Sequence, residues 1–264
     1  MFPAQTPYFG ERRPVMVILH GTEVDDATAR AVFTGQTNAH GSCHYYIDAA
    51  GEVTQYLDEN ARAWHAGQSF WAGFTDINSM AIGIELEAIS HSRKFDGDET
   101  VYTPEQMAKL ILLLQDIIAR HNIAPWHILG HQDVACTRLF DPEPASDFDL
   151  LLDSQPVAQQ RKYDPGIYFN WSLLAENGIG LWHGMTADPH DSAVTDQAVT
   201  EWFYRDLSAF GYDLRAKELE HQHQYALLAF QTHFTPWLVN GPFKGKVTRQ
   251  MVDILSRLLA IKSS

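Results

Sequence analysis

Basic residues are scarce in this sequence. Its 264 residues include 19 lysines and arginines against 33 aspartates and glutamates, which gives a net charge of −14. Nucleic acids and anionic membranes are bound by cationic surfaces, so this balance argues against both as partners. An anionic substrate would have to be attracted by local groups in a cleft, because the overall field of the protein does not attract it.

Cysteines and long apolar runs are also few. Cys43 and Cys136 are too few for a disulfide scaffold and lack the paired spacing of a thiolate zinc site. Two free thiols are the favoured interpretation, and a single bridge is the alternative. Residues 1–21 contain no apolar run of signal-peptide length, and no stretch approaches the roughly 20 apolar residues that span a bilayer. The sequence therefore predicts no membrane span and shows no signal peptide.

The composition, with 45% hydrophobic and 20% charged residues, is that of a folded protein. Short apolar runs rich in β-branched residues predict strands at Pro14–Leu19 and Met80–Glu87. Gly51 lies in a turn between two further strand patterns, which predicts a hairpin of Cys43–Asp48 with Glu52–Leu57. These strands indicate a sheet in the first part of the chain.

A long amphipathic helix is predicted over Thr103–His121. Thr103 suits the N-cap, Pro104 the first turn, and Gln106 would complete a capping box. Strands covered by such a helix predict an α/β or α+β first domain, which we assign to residues 1–180. Residues 181–264 show helical periodicity and no clear strand, which predicts a small all-α domain with helices at Thr195–Phe210, Lys217–Phe234 and Val247–Ile261.

Two histidines and one aspartate occur where a metal ion can be reached. His20 ends the first predicted strand, His131 follows another short apolar segment, and Asp164 precedes a Pro-Gly turn. Two neutral imidazoles and one carboxylate leave the fourth position of a zinc ion open for water, which is the catalytic arrangement. On spacing alone, a chance grouping of distant histidines is an equally good interpretation.

Six segments occur in the order of one known family: ILHGT, SCHYYID with GEVTQYL, AWHAGQSFWAG, NSMAIGIELE, GHQDVA and RKYDPG. In these segments the chain resembles the zinc-dependent N-acetylmuramoyl-L-alanine amidases of the AmpD/AmiD type, which are related to peptidoglycan recognition proteins. The later segments FNWSLLAENGIGLW and AFQTHFTPWLVNG resemble the AmiD branch and a helical peptidoglycan-binding-like module. The resemblance implies an α/β fold, with a central mixed β-sheet flanked by helices, followed by a small three-helix domain.

The resemblance also implies a metal centre and its chemistry. It assigns one Zn²⁺ per chain to His20, His131 and Asp164, and it makes Glu85 the catalytic glutamate. A carboxylate beside zinc and water accepts the proton of the attacking water. Lys162 matches a family lysine, whose ammonium would stabilise the developing oxyanion. The alternatives are a rim or arginine-paired glutamate and a solvated surface lysine.

Three further residues are predicted to bind substrate in the cleft: Trp64, His65 and Arg161. Core packing is an equally good interpretation of Trp64, and a structural role is the alternative for His65. His44, which also matches a family position, is interpreted as a core histidine or one that supports the metal ligands.

A segment spanning Cys136–Gln160 interrupts the family pattern. Reading directly on from GHQDVA, Asp141 is followed by proline and competes with Asp164 for the third metal position. We favour Asp164, because Lys162 and Gly166 flank it as in the family pattern. The interrupting segment is expected to form a lid or a specificity loop near the cleft.

The predicted activity is hydrolysis of the amide bond between the lactyl group of N-acetylmuramic or anhydro-muramic acid and L-alanine, with peptidoglycan or muropeptides as partners. The resemblance favours the cell envelope or periplasm. The alternatives are a non-catalytic peptidoglycan-recognition protein, an exported antibacterial amidase with an immunity partner, and a cytoplasmic recycling enzyme. An oligomer is compatible with each of them.

Overall fold

One mixed sheet organises the first part of the protein, a computed structural model of which describes residues 12–37, 41–88, 101–135, 162–215 and 222–263. Its five strands are β1 (Met16–Gly21), β2 (Tyr45–Ile47), β3 (Val53–Gln55), β4 (Ala81–Leu86) and β5 (Ile128–Gly130). They lie in the order β3-β2-β4-β1-β5. The pairs β1–β4, β1–β5 and β2–β4 are parallel, and β2–β3 is antiparallel. The carboxyl ends of four strands therefore point to one edge of the sheet.

Eight α-helices lie in the part of the chain that the structure describes: α1 (Asp26–Phe33), α2 (Ile77–Met80), α3 (Pro104–His121), α4 (His131–Val134), α5 (Trp171–Glu176), α6 (Gln197–Phe210), α7 (Gln222–Phe234) and α8 (Arg249–Lys262). Short 3₁₀ turns occur at Pro125–His127 and Pro236–Leu238. The predicted α/β fold, with a mixed sheet flanked by helices and a helical C-terminal part, is confirmed. The predicted start of the second C-terminal helix, Lys217, lies outside the described residues.

The predicted N-terminus of α3 is confirmed, but the predicted capping box is only half formed. The Thr103 hydroxyl accepts a hydrogen bond from the Gln106 backbone N–H at 3.1 Å. The Gln106 side chain does not return to Thr103. It is fully buried and donates to the backbone carbonyls of Ile47 (2.9 Å) and Glu87 (3.2 Å), at the ends of two neighbouring strands. Gln106 therefore ties α3 to the ends of β2 and β4.

Helices cover both faces of the sheet. Successive side chains of a strand point to opposite faces, and β1 shows this alternation. Val17 and Leu19 belong to the apolar cluster that contains the buried face of α3. Met16 and Ile18 belong to a second cluster, which also contains the buried residues of α6, α7 and α8. This second cluster joins the region predicted as the first domain to the helices predicted as the second.

A buried carboxylate links β2 to the end of α3. Glu59 accepts hydrogen bonds from the Tyr45 hydroxyl (2.7 Å), from His121 Nε2 (2.6 Å) and from two nitrogens of the Arg120 guanidinium. Burial by itself raises the pKa of Glu59, but these donors outweigh it and lower the pKa to about 2. The charged form of Glu59 therefore helps to hold the hairpin edge against α3.

Two further observations concern the environment of the protein. Within the described residues, none of the helices combines the length and the apolar character that a membrane crossing needs. Cys43 is a buried free thiol, as expected, and Cys136 lies outside the described residues.

Candidate metal centre and active site

The candidate ligands lie at the edge of the sheet where parallel strands end. His20 is the penultimate residue of β1, and His131 directly follows β5 as the first residue of α4. Glu85, on β4, is paired in register with His20. Open α/β sheets place their binding sites at this edge, because the loops that follow neighbouring strands converge there.

The three predicted ligands form a close triangle of donor atoms. His20 Nδ1 lies 3.0 Å from His131 Nδ1, and each of these nitrogens lies 3.1 Å from Asp164 Oδ2. His20 is 2% and His131 5% exposed, so water screens these groups weakly. The turn that carries Asp164 is thus brought against two strand ends that are far from it in sequence.

This donor set fits a divalent metal ion. Each imidazole nitrogen has either one hydrogen or one lone pair, so the three mutual contacts cannot all be hydrogen bonds. Three lone pairs directed at one point call for a cation between them. In a tetrahedral zinc site with bonds of about 2.0–2.1 Å, ligand atoms lie about 3.3 Å apart, close to the separations in this triangle. His20, His131 and Asp164 are also the group of possible metal ligands found among the described residues.

The remaining ring nitrogens of both histidines are directed away from the triangle. His131 Nε2 lies 3.4 Å from the Ala66 carbonyl, and His20 Nε2 lies 3.0 Å from His65 Nδ1. A ligand histidine that donates its other N–H in this way is held in the tautomer whose free lone pair faces the metal. His65 was predicted to bind substrate. In the structure, His65 Nδ1 is hydrogen-bonded to His20 Nε2. His65 Nε2 is buried and has no hydrogen-bond partner among the described residues.

The His65 ring packs directly against Gly83 of β4. A Cβ built at Gly83 would lie 2.6–2.8 Å from three ring atoms of His65, so only glycine is accommodated there. His44 lies next to them: its Nδ1 accepts a hydrogen bond from the Gly83 N–H at 3.0 Å, and its Nε2 donates to the Ala61 carbonyl at 3.0 Å. His44 is fully buried and has both nitrogens satisfied within the fold.

Glu85 lies beside the triangle without being part of it. Its Oε1 is 4.0 Å from His20 Nδ1. Burial, followed by the negative charge of Asp164, raises the pKa of Glu85 to about 8, while Lys162 acts in the opposite direction. A cation held by the triangle would also lower this pKa. A carboxyl group balanced in this way is suited to taking up and returning a proton near neutral pH.

The electrostatics of the triangle favour an ionised Asp164. Burial by itself raises the pKa of Asp164, but His131 and His20 outweigh it and hold the pKa well below its usual value. Burial and the neighbouring His131 lower the pKa of His20 to about 4, so His20 is neutral at physiological pH, as a metal ligand must be. Lys162, which is partly buried, is near enough to interact with the charges of both His20 and Glu85.

Two residues that sequence reasoning missed hold the Asp164 turn in place. The Gln132 backbone N–H donates to the Asp164 carbonyl at 2.9 Å, and Gln132 Oε1 accepts from the Gly166 N–H at 3.0 Å. The Tyr102 hydroxyl donates to the Pro165 carbonyl at 2.7 Å. Gln132 belongs to the GHQDVA segment, which the sequence identifies as part of the site. Its bonding partners, Asp164 and Gly166, lie far from it in the sequence and could not be predicted from the segment alone.

The other predicted cleft residues differ in their surroundings. The Arg62 guanidinium lies over one face of the Trp64 ring, 3.8 Å from its centroid. The Trp64 side chain is nevertheless 64% exposed, so part of its indole is accessible to a ligand. Trp71, which belongs to the same AWHAGQSFWAG segment, is fully buried against Gly211 and Tyr212 and serves packing. Arg161, Asp141 and the rest of the predicted lid lie outside the described residues.

The chain is similar in sequence to proteins of one known family. The sequence profile of the N-acetylmuramoyl-L-alanine amidase family matches residues 10–144. The amidase AmiD of Escherichia coli K12 is 30% identical over 246 residues, which are 86% of this chain and 76% of AmiD. The 1,6-anhydro-N-acetylmuramyl-L-alanine amidase AmpD of Enterobacter cloacae is 34% identical over 155 residues, which are 52% of this chain and 79% of AmpD. AmiD thus matches a larger share of this chain than AmpD does.

Solved structures extend the likeness to nearly the whole chain. The structure of E. coli AmiD in complex with anhydro-N-acetylmuramic acid-L-Ala-D-γ-Glu-L-Lys superimposes with a TM-score of 0.74 at 29% identity, covering 98% of this chain and 93% of AmiD. AmpDH3 of Pseudomonas aeruginosa gives a TM-score of 0.69 at 26% identity, covering 100% of this chain and 97% of AmpDH3. With its fold and its matched segments, this chain belongs to the N-acetylmuramoyl-L-alanine amidase family.

Proposed function

We propose that this protein is a zinc-dependent amidase that hydrolyses the amide bond between the muramic acid lactyl group and L-alanine of the peptidoglycan stem peptide. The observation that carries the proposal is the triangle of His20 Nδ1, His131 Nδ1 and Asp164 Oδ2, with Glu85 at 4.0 Å. Membership of the amidase family supports the reaction class. The arrangement of two histidines, one aspartate and an open fourth position supports zinc.

In this proposal, His20, His131 and Asp164 would hold one zinc ion, which when bound would act as a Lewis acid, polarising the scissile carbonyl and making water more acidic. Glu85 takes a proton from the water that attacks the carbonyl carbon. The C–N bond then breaks, and Glu85 returns the proton to the amino group of L-alanine. Lys162 places its ammonium beside the negative charge that develops on the carbonyl oxygen.

The substrate class follows from the relatives. AmiD has been solved with an anhydro-muramyl tripeptide and AmpDH3 with an anhydromuramic pentapeptide, so muropeptides are the proposed ligands here. Trp64, with its exposed indole, is proposed to contact the sugar or the stem peptide, and Arg161 remains predicted to assist. His65 is proposed to support His20, because its Nδ1 is already used there.

Location and domain roles belong to the same proposal. A substrate from the cell wall favours the cell envelope, with cytoplasmic recycling of muropeptides as the alternative. Residues 1–180 are proposed as the catalytic region and residues 181–264 as the helical region, joined by the apolar cluster beneath β1.

The test measures bound metal and cleavage of an anhydro-muramoyl tripeptide by mass spectrometry in the same preparations. Wild type should hold about one zinc per chain and release free tripeptide. Glu85→Gln should keep its zinc and lose about 10²- to 10⁴-fold in kcat. Glu87→Gln is the matched control: Glu87 lies just beyond β4, its carboxylate accepts from the Ala49 N–H, and its replacement should leave kcat unchanged.

The third ligand is tested with Asp164→Ala and Asp141→Ala. Loss of zinc and of cleavage in Asp164→Ala alone supports the assignment, and loss in Asp141→Ala alone would transfer the ligand role to Asp141. A wild-type protein that binds muropeptide but neither holds zinc nor cleaves it would be a recognition protein, and the enzymatic proposal would be rejected.

A further inference from the structure

The carboxylate of Asp133 lies at the centre of a buried polar network next to the proposed metal centre. Asp133 belongs to α4, two residues after His131, and is fully buried. Its Oδ2 accepts hydrogen bonds from the Gly130 N–H and from His233 Nδ1, both at 2.8 Å. Its Oδ1 accepts from the Tyr212 hydroxyl at 2.7 Å. Both oxygens of a buried carboxylate are therefore satisfied, as its burial demands.

Two of these three donors come from the helical C-terminal region. Tyr212 follows the end of α6, and His233 is the penultimate residue of α7. Both are almost fully buried. The His233 ring is stacked on Trp171, with centroids 3.7 Å apart, and on Phe234, at 3.9 Å. This packing fixes the orientation of the His233 ring, and so the direction in which its Nδ1–H donates, independently of substrate or metal.

The helix that receives these bonds has little stability of its own. α4 has four residues, a single turn, and an isolated turn of helix is unstable because its nucleation is unfavourable. The bond from the Gly130 N–H to Asp133 closes its N-terminus, and the two bonds from the helical region hold it from the other side. The hydrogen bonds from Tyr212, just after α6, and from His233, on α7, therefore help to set the orientation of α4.

Two of the proposed ligands depend on the orientation of α4. His131 is its first residue, so a rotation of α4 moves the His131 ring directly. The Gln132 backbone N–H of the same turn donates to the Asp164 carbonyl at 2.9 Å, which couples α4 to the aspartate ligand. A displacement of α4 would therefore disturb two corners of the triangle at once, and ligand sites lose affinity when their supporting hydrogen bonds are removed.

We propose that Tyr212 and His233 are positioning residues for the metal centre, acting through Asp133, so that the helical C-terminal region is a structural part of the metal site. This inference rests on the proposed function, since it assumes that His131 and Asp164 hold a metal. It assigns to the helical region a role that is independent of any contact with peptidoglycan.

The experiment measures the Kd for zinc, by competition with a chromogenic chelator, in the full-length protein. Tyr212→Phe and His233→Phe keep the aromatic packing and remove one donor each, and the double variant removes both. The double variant should raise the Kd for zinc by about 10- to 100-fold, the usual effect of losing hydrogen bonds behind metal ligands. Each single variant should give a smaller rise. Saturating zinc should restore kcat with an unchanged KM, because the altered step is metal retention.

Gln231→Leu is the matched control. Gln231 is fully buried in α7, two residues before His233, and donates to the carbonyls of Phe243 (2.9 Å) and Lys246 (3.1 Å), away from Asp133. Its replacement should lower the melting temperature of the metal-free protein and leave the Kd for zinc within about twofold of wild type. If it weakens zinc binding as much as the double variant, the effect is general destabilisation and the inference is wrong.

Other outcomes are equally decisive. A double variant with wild-type zinc affinity would refute the positioning role while leaving the proposed function intact, provided that wild type binds zinc. A wild type that binds no zinc would overturn both. If the double variant does not fold, Tyr212→Phe carries the test alone, because it removes a single hydroxyl from a ring that remains packed on Trp71.

Discussion

Replacement of Gly83 by alanine tests how closely the sheet and the metal centre are fitted together. Gly83 lies on β4, two residues before Glu85, and its missing side chain makes room for the His65 ring. His65 is held by its ring and by its backbone. Its Nδ1 meets His20 Nε2 at 3.0 Å, and the His65 backbone N–H donates to Asn78 Oδ1 at 2.9 Å. Gly83→Ala is therefore expected to weaken both stability and metal binding.

The magnitude follows from the geometry. The added Cβ would lie 2.6–2.8 Å from the ring atoms, well inside the normal van der Waals contact distance. Inserting a methyl group into a packed site typically costs about 1–3 kcal/mol in the free energy of unfolding. In a protein of this size, each kcal/mol lowers the melting temperature by about 2–4 °C. If the His65 ring turns away to relieve the clash, His20 loses the partner that orients it, and zinc affinity should fall about 10-fold or more.

Calorimetry of the metal-free protein and zinc titration of the same samples measure the two effects. Gly241→Ala serves as the control, since a Cβ at Gly241 would meet its nearest neighbour at 3.7 Å, an ordinary contact. A Gly83→Ala variant with the melting temperature and zinc affinity of wild type would refute the reasoning, because it would mean that His65 can move without cost and does not support His20.

Three further predictions concern acid stability, the aspartate turn and metal linkage. Because the pKa of Glu59 is lowered to about 2 in the folded protein, its stabilisation is present above pH about 4.5 and is lost as the pH falls towards 2. Glu59→Gln should lower the free energy of unfolding in urea by about 1–3 kcal/mol at neutral pH, and this free energy should then vary less with pH between 4.5 and 2. A variant whose stability varies with pH as in wild type would contradict the role given to Glu59. Tyr102→Phe removes the hydroxyl that donates to the Pro165 carbonyl. The free energy of unfolding, measured in urea with and without zinc, should fall by about 1–3 kcal/mol. Zinc at about 100 times its Kd should raise the free energy of unfolding of wild type by about 2.7 kcal/mol, and chelation or Asp164→Ala should abolish that increment; a stability that does not depend on zinc would contradict the proposed ligand set.

Local patterns in the sequence were sufficient for the main elements of the fold. The apolar run at residues 14–19 predicts β1, and Thr103 with Pro104 predicts the start of α3, because backbone propensity and capping depend on neighbours in the chain. The ordered motifs predict His20, His131 and Glu85 as site residues at or near strand ends. They also pointed to the amidase family, which the comparisons confirm.

Contacts between distant residues were decided only by the tertiary structure. The sequence favoured Asp164 over Asp141 as the third ligand without showing its distance from the histidines, and the fold brings Asp164 Oδ2 within 3.1 Å of both; Asp141 lies outside the described residues. Gln106 looked like a capping residue, but it donates to strand ends that only the packed sheet supplies. No pattern connected Asp133 with His233. The physical reason is common to all three: a buried polar group bonds to whatever partner the packed chain brings to it, and chain order does not encode that proximity.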